Sequence, residues 1–135
     1  MSHSLSFDVS YLYEENDGGI SLPIILSYGD SQIRTFAKVD TGADFCIFSH
    51  ELGENLGIDV PSGIPKTMGS LTGLLDTFGH EITIQACGIA LQSVAYFAKY
   101  PGLSRNLLGR NGWIRKLRIG IMDYDSTIYL ATYNP

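Results

Sequence analysis

The stretch Lys38-Val39-Asp40-Thr41-Gly42-Ala43-Asp44 decides how the rest of this sequence is interpreted. An apolar, strand-like run from Ile33 to Val39 leads into it, and a second one, Phe45 to Phe48, follows it. The turn between them carries two carboxylates, a hydroxyl and a glycine. An ionised carboxylate near a core is costly unless it is hydrogen-bonded or paired. Asp40 is therefore either held by neighbouring donors or kept for a chemical role.

The tripeptide Asp40-Thr41-Gly42 has two interpretations when it is taken by itself. Asp and Thr side chains cap nearby amides and Gly accepts positive φ, so the tripeptide also suits a tight turn. The other interpretation is a catalytic carboxylate, and the remainder of the chain has to decide between them.

Composition limits the class of protein. The chain has 135 residues, of which 44% are hydrophobic and 15 are glycine, so we expect one globular, turn-rich domain over residues 1–135. The net charge of -5 argues against nucleic acid or an anionic membrane as partner, since both reward clustered Lys and Arg. No apolar run has membrane-spanning length, and the N-terminus does not resemble a signal peptide. We therefore expect a cytoplasmic protein.

The cysteines and histidines give no sign of a metal or cofactor. Cys46 and Cys87 each lie in an apolar run, where a reduced Cys behaves as a small hydrophobe. His3, His50 and His80 are scattered, without metal-ligand spacing. The sequence predicts no disulfide, no metal site and no cofactor.

Patterning along the chain predicts an all-β fold with about ten strands and one or two short helices. A helix is expected over His50 to Gly57, with Ser49 as its N-cap, and a helical turn over Trp113 to Leu117. Pro23 indicates an edge position or a strand start. The strands are predicted at Leu5 to Tyr11, Ile20 to Tyr28, Gln32 to Val39, Phe45 to Phe48, Glu81 to Ala86, Ile89 to Ala98, Arg118 to Met122 and Thr127 to Ala131.

A hairpin tip is predicted at Met68-Gly69-Ser70-Leu71-Thr72-Gly73-Leu74-Leu75. Exposed Leu and Met side chains at a loop tip are unusual, because such side chains gain free energy by burial. The segment is therefore either an excursion of the core or a lid that closes on an apolar ligand.

Two separated motifs together resemble the paired signature of the retroviral-type aspartic proteases, the retropepsins. The first is Asp40-Thr41-Gly42-Ala43-Asp44 and the second is Asn106-Leu107-Leu108-Gly109-Arg110-Asn111. The predicted hairpin stands between them, where the family has its flap. The similarity covers roughly Ile20 to Trp113. It implies a small closed, barrel-like retropepsin fold that is active as a homodimer, and the short helix after Ser49 resembles cellular and bacterial members more than viral ones.

The resemblance implies an aspartic endopeptidase that acts on a peptide or protein substrate. Asp40 of each protomer would be the catalytic acid and base, Thr41 would hydrogen-bond across the two-fold axis, and Gly42 would let substrate approach the backbone. Ala43 stands where other members have Ser, and the loss of that donor predicts a mildly acidic optimum. The alternative for Thr41 is a hydroxyl that merely ends a strand.

Three further roles follow from the resemblance. Asp44 and Arg110 would form a buried ion pair that braces the loop, so that Arg110→Ala destabilises the fold more than it alters cleavage. Apolar pockets would be lined by Ala43, Ile47, Leu71, Leu74 and the Pro101-Gly102-Leu103 loop, although core packing is the alternative for Ile47 and Leu74. The flap would cover an extended peptide with Met68, Gly69, Ser70, Leu71, Thr72 and Gly73.

The dimer interface and the activity itself are left open by the sequence. Either Leu5 to Tyr11 or Ile128 to Tyr133 is suited to an interface, because both are strand-like and rich in tyrosine. Two rival functions compete with the endopeptidase. One is a catalytically silent protease-like module that binds peptides or dimerises, and the other is a monomeric β-barrel with a cavity for a small ligand.

Overall fold

A computed structural model of the protein describes residues 1–15, 18–70 and 73–133. This part of the chain contains one α-helix, α1, over His50–Asn55, and short 3-10 turns at Val60–Ser62, Ile114–Lys116 and Asp123–Asp125. The strands are β1 Val9–Leu12, β2 Ser21–Tyr28, β3 Ser31–Val39, β4 Ile47–Phe48, β5 Ile64–Ser70, β6 Gly73–Ala86, β7 Ile89–Ala98, β8 Leu107–Leu108, β9 Leu117–Met122 and β10 Thr127–Thr132. The predicted all-β class, with about ten strands and a single short helix, is confirmed.

Seven strands form one sheet in the order β2-β3-β8-β4-β7-β6-β5, and β2 also pairs with β6. This extra pairing, Ile24↔Ala86 to Ser27↔Thr83, closes six of the strands into a ring. Closure satisfies the backbone groups that an open edge would leave unpaired. The barrel-like architecture that was expected is therefore present, and β5 continues beyond the ring only on the β6 side.

Pro23 lies where the ring tolerates a residue without an N–H group. It is opposite Phe36 of β3, one residue before the β2–β6 pairing begins at Ile24. β2 is thus paired on both sides only from Ile24 onward. Of the two expectations for Pro23, the edge position agrees with this placement, whereas the strand itself starts two residues earlier, at Ser21.

The interior of the barrel is apolar and continuous. One cluster of fully buried residues includes Leu22 and Leu26 of β2, Ile84 of β6 and Phe97 of β7, each with 0% of its surface exposed. The same cluster includes Leu130 of β10, so the terminal strands share the core of the barrel. Burial of this apolar surface is the main favourable term for the fold.

A second, three-stranded sheet has the order β1-β10-β9. The strand predicted at Leu5 to Tyr11 is four residues shorter at its start, because antiparallel pairing with β10 begins at Val9↔Leu130. Ahead of it, the ring of Phe7 packs on Tyr129 with centroids 5.7 Å apart. The two ends of the chain therefore pair with each other inside one protomer.

The helix begins at His50, as its sequence predicts, but ends at Asn55, two residues before the end of the predicted range of 50–57. Ser49 is the N-cap, and its hydroxyl accepts a hydrogen bond of 3.2 Å from the backbone N–H of Leu52. The chain leaves the helix at Leu56 and turns at Gly57, whose φ is +82°. A left-handed residue at this point is what glycine supplies most easily.

Candidate active site

Asp40 directly follows β3, where three strands meet. β3 runs parallel to β8 with Val39 opposite Leu108, and β8 also pairs with β4. The backbone N–H of Asp40 donates to the carbonyl of Leu108 at 3.0 Å. The loop between β3 and β4, residues 40–46 and here called the Asp40 loop, is thereby fixed at its first residue.

The carboxylate of Asp40 is half-buried and turned toward its own loop. Its Oδ1 accepts a hydrogen bond of 2.9 Å from the backbone N–H of Gly42. The carbonyl of Asp40 accepts another of 3.1 Å from the N–H of Ala43. The side chain therefore has a fixed orientation with one backbone donor, while its remaining acceptor positions are free of donors from the described part of the chain.

Gly109, which follows β8, lies directly beneath the Asp40 loop. A Cβ on Gly109 would lie 2.2 Å from the carbonyl oxygen of Phe45 and 2.8 Å from that of Ala43. Both neighbours are backbone atoms that cannot rotate away, so a side chain here would force the two segments apart. The glycine of the second sequence motif is thus required by close packing under the first.

The two residues after Gly109 bind the loop through its backbone. The N–H of Arg110 donates to the carbonyl of Ala43 at 2.9 Å, and the N–H of Asn111 donates to that of Asp44 at 2.8 Å. The side-chain Nδ2 of Asn111 donates to the same Asp44 carbonyl at 2.9 Å. Three hydrogen bonds therefore join the two motifs, which explains why they occur together in one sequence.

The predicted buried ion pair between Asp44 and Arg110 is wrong. Both side chains are exposed, and the one ion pair within residues 1–15, 18–70 and 73–133 joins His50 to Glu54 at 2.9 Å. Two exposed charges gain little from pairing, since water solvates each of them well. The loop is braced by backbone hydrogen bonds, and the expected destabilisation by Arg110→Ala loses its basis.

Thr41 and Gly42 form the exposed tip of the Asp40 loop. The hydroxyl of Thr41 has no hydrogen-bond partner in the described part of the chain. The φ of Gly42 is not positive, and a Cβ on it would meet only Asp40 Oδ1, at 3.2 Å. Within one protomer, the fold therefore leaves this tip accessible.

The predicted hairpin is formed by β5 and the first part of β6, and residues 64–79 are here called the hairpin arm. Its ladder runs from Ile64↔Gly79 to Ser70↔Gly73. Met68 is half-buried, Gly69 is exposed, and Leu74 is 80% exposed, so core packing is wrong for Leu74. Of the other predicted tip residues, Leu71 and Thr72 lie outside the described residues.

Side-chain hydrogen bonds connect β5 and β6, the two strands of the hairpin arm. Thr67 Oγ1 donates to Asp76 Oδ1 at 2.8 Å, and Thr77 Oγ1 donates to the carbonyl of Lys66 at 2.8 Å. The ammonium of Lys66 lies 4.6 Å from the ring centroid of Phe45. This cation–π contact connects the arm to the Asp40 loop near its base.

A groove of about 560 Å³ adjoins Asp40 and is here called the Asp40 groove. The predicted pocket residues Ala43, Ile47, Leu74 and 101–103 do not line it. Its wall is formed by β3 and by residues in or near the neighbouring strands β2 and β8. This wall contains more polar residues than the apolar pockets that were expected from the sequence. The lining residues are Gly18, Gly19, Ile20, Ser21, Phe36, Ala37, Lys38, Val39, Asp40, Ser104, Arg105, Asn106 and Leu107.

Asn106 is a positioning residue that sequence reasoning missed. Its carbonyl accepts from the N–H of Lys38 at 2.9 Å, and its Nδ2 donates to the carbonyl of Phe36 at 3.3 Å. Its Oδ1 accepts from the N–H of Ser49 at 3.3 Å. Asn106 thus joins β3, the start of β8 and the start of the helix. The sequence signal for this positioning role was that Asn106 is the first residue of the second motif.

The described residues contain no cluster of three or more His, Cys, Asp or Glu that could hold a metal ion. The same residues include no helix that is long and apolar enough to cross a membrane. Cys46, at the end of the Asp40 loop, is 0% exposed, and burial raises the pKa of its thiol to about 11.

No protein-family model matches the chain, and no curated protein matches it. Solved structures do match, among them the EIAV protease complexed with the inhibitor HBY-793. The TM-score is 0.55 at 19% sequence identity, and the alignment covers 72% of this chain and 86% of the EIAV protease chain. At this level of identity the likeness concerns the fold. The chain has the all-β retropepsin fold.

Proposed function

We propose that the protein is an aspartic endopeptidase whose active site is formed by Asp40 from each of two identical chains. The observation that carries the proposal is the placement of Asp40. Its carboxylate is oriented by Gly42 N–H and opens on a groove, in a chain with the retropepsin fold. A carboxylate positioned in this way at the end of a strand is suited to acid–base chemistry.

The chemistry requires two carboxyl groups that share one proton, because two like charges about 3 Å apart cannot both remain ionised. One carboxylate takes a proton from water as the water oxygen attacks the peptide carbonyl carbon. The other carboxyl gives its proton to the carbonyl oxygen. The first carboxyl, which now holds the water proton, gives it to the peptide nitrogen, while the second takes a proton from a hydroxyl of the gem-diol. The C–N bond breaks, a carboxylic acid and an amine leave, and both carboxyls return to their starting state.

A single chain supplies half of this site, since it contains one Asp-Thr-Gly. The second half would come from a two-fold-related copy. Support comes from the exposed tip of the Asp40 loop, where Thr41 has a free hydroxyl and Gly42 carries no side chain. Such a surface can meet an identical surface, with each Thr41 bonded across the axis.

Several narrower proposals accompany the endopeptidase. The hairpin arm would act as the flap over an extended peptide, with Met68, Gly69, Ser70, Leu71, Thr72 and Gly73 at its end. Residues 1–135 would form one domain, which the shared core of barrel and terminal sheet supports. The protein would be a cellular or bacterial representative of this fold that works in the cytoplasm without a cofactor.

The test is cleavage of a randomised peptide library by the purified protein, with products identified by mass spectrometry. Asp40→Asn should abolish cleavage while leaving the fold unchanged. Asp30→Asn is the matched control, because Asp30 is an exposed carboxylate in the turn at the opposite end of β3. Equal cleavage by the Asp40→Asn protein would overturn the proposal, and binding without any cleavage would favour the silent module.

A mixing experiment tests the shared site. When wild-type and Asp40→Asn chains exchange freely, only dimers with two Asp40 residues can work, so activity should fall with the square of the wild-type fraction. A linear fall would mean that each chain acts alone. A monomeric mass at micromolar concentration would point instead to the small-ligand barrel.

A further inference from the structure

The charge of the Asp40 groove differs from that of the chain as a whole. The chain has a formal net charge of -5, yet the groove is lined by two cations, Lys38 and Arg105. The one carboxylate among its described lining residues is Asp40 itself. A local positive surface beside a carboxylate site in an acidic protein calls for a functional explanation.

Neither cation has a side-chain partner among the residues that the structure describes. Within the described residues, no ion pair and no side-chain hydrogen bond involves Lys38 or Arg105, and both side chains are exposed. The two residues stand on neighbouring segments, because Lys38 pairs with Leu107 in the parallel β3–β8 ladder. Their charges therefore flank the groove and are free to meet a ligand.

The position of Lys38 is well determined by its surroundings. Its N–H donates to the carbonyl of Asn106 at 2.9 Å. A Cβ on Gly19 would lie 3.6 Å from Lys38 Cδ and 4.0 Å from its Nζ, so the lysine side chain lies along this glycine, which also lines the groove. The groove thus has a cation placed two residues before the proposed catalytic residue on the same strand.

An apolar surface lies next to these charges. Phe36 lines the groove and is 59% exposed, although a phenyl ring gains free energy when it is buried. Because alternate residues of a strand point to the same face, Phe36 and Lys38 lie side by side. The groove therefore offers one aromatic contact and two cations.

We propose that the Asp40 groove selects peptides with an acidic side chain, Glu or Asp, close to the scissile bond and an apolar side chain beside it. The inference rests on the proposed endopeptidase activity and names its substrate class. Arg105 would bind the carboxylate through its guanidinium fork, Lys38 would add a second charge-assisted contact, and Phe36 would receive the apolar neighbour. This selectivity replaces the purely apolar pockets expected from the sequence.

The experiment uses ten-residue peptide mixtures in which one position is fixed as Glu, Gln or Leu and the others are randomised. At pH 6, where Glu is ionised, kcat/KM for Glu at one position should exceed that for Gln about fivefold, the effect of an exposed charge-assisted contact. The ratio should approach one when the pH falls below the pKa of free Glu, about 4.3. Equal cleavage of Glu and Gln mixtures at pH 6 would overturn the inference.

Variants identify the residues responsible. Arg105→Gln and Lys38→Gln should each reduce the Glu-to-Gln ratio, because each removes one of the two cations that would bind the substrate carboxylate. Arg34→Gln is the matched control, because Arg34 is an exposed cation on the same strand that does not line the groove. If Arg34→Gln lowers the ratio as much as Arg105→Gln does, general electrostatic attraction explains the preference and the groove does not.

Binding separates failure of this inference from failure of the proposed function. Fluorescence anisotropy with labelled Glu and Gln mixtures is measured on the wild-type and Asp40→Asn proteins at the same pH. Tighter binding of Glu mixtures, lost in Arg105→Gln, would support the selectivity even if nothing is cleaved. If the Glu and Gln mixtures bind equally well, or if neither binds, the result would count against the proposed selectivity even if cleavage occurs.

Discussion

The Asp40 loop and the hairpin arm are both reached from β-strands, yet they are held in opposite ways. In the loop, the carbonyls of residues 43 and 44 accept hydrogen bonds from the two residues after Gly109. The loop packs so closely on Gly109 that there is no space for a Cβ on that glycine. The base of the arm pairs with β7 through residues 77–79, and Lys66 contacts Phe45. Beyond that base the arm is held by its own ladder and cross-strand side chains, and a Cβ on Gly69 would have nothing within 4 Å.

The difference shows what each region has to do. A carboxylate that must meet a twin at about 3 Å has to be placed accurately, and a bound backbone achieves this. A segment that covers a peptide must let it enter and leave, so few contacts to the rest of the molecule are suitable. The following changes test this contrast, beginning with the largest expected effect.

Gly109→Ala should lower the free energy of unfolding by about 3 kcal/mol, because the new Cβ would overlap backbone atoms of the Asp40 loop. Gly69→Ala, the matched change in the hairpin arm, should alter it by less than about 0.5 kcal/mol. Urea denaturation of both variants measures the difference. Equal effects from the two substitutions would remove the contrast between loop and arm.

Asn111→Ala should cost about 0.5–1 kcal/mol, since it removes an exposed side-chain hydrogen bond and leaves the carbonyl of Asp44 with one donor instead of two. Arg110→Ala should change the free energy of unfolding by less than about 0.5 kcal/mol, because its side chain is exposed and unpaired within the described residues. The same denaturation experiment compares the two. A larger loss from Arg110→Ala would restore the ion pair as the brace.

Thr67→Val removes the exposed hydrogen bond to Asp76 while keeping the size of the side chain. The free energy of unfolding should fall by about 0.5 kcal/mol or less, as is usual for exposed contacts. If the arm covers the peptide, kcat/KM should fall while the free energy of unfolding stays nearly constant. An unchanged kcat/KM would argue that the arm does not contact substrate.

The accessibility of the two thiols tests the rigidity of the Asp40 loop in the unmutated protein. Cys46 is fully buried behind the loop and burial raises the pKa of its thiol to about 11, so little reactive thiolate exists at pH 8. Cys87, in the β6–β7 turn, is half-exposed. A thiol reagent should label Cys87 in the native protein and Cys46 only on unfolding. Rapid labelling of Cys46 would mean that the loop opens readily.

Local patterning was sufficient for most of the fold. The strand before the Asp40 loop, the Ser49 cap and the turns after Tyr28 and at Cys87-Gly88 lie where the sequence predicted them. The strand predicted over Phe45 to Phe48 is limited to Ile47–Phe48. These features depend on short-range preferences. Local patterning did not predict closure of the ring by β2 and β6, because residues 24–27 meet residues 83–86 through tertiary packing alone. A closed fold was expected only from the resemblance of the two motifs to a known family.

The candidate site shows the same limit. The two motifs identified the loop and the segment beneath it, but the charges of Asp44 and Arg110 suggested an ion pair where backbone atoms make the contacts. Likewise, Lys38 and Arg105 are far apart in sequence and come to one groove only because β3 and β8 run in parallel. Pairing between distant strands carries no local signal.

The pairing of β1 with β10 places the entry and the exit of the polypeptide side by side, with Val9 opposite Leu130. A short linker could therefore connect the segment after β10 to the segment before β1, and new ends could be created at the tight turn of residues 87–88. The chain would then begin with the present β7 while every ladder kept its register. The fold therefore does not require the chain to start at β1, and it is suitable for circular permutation at this turn.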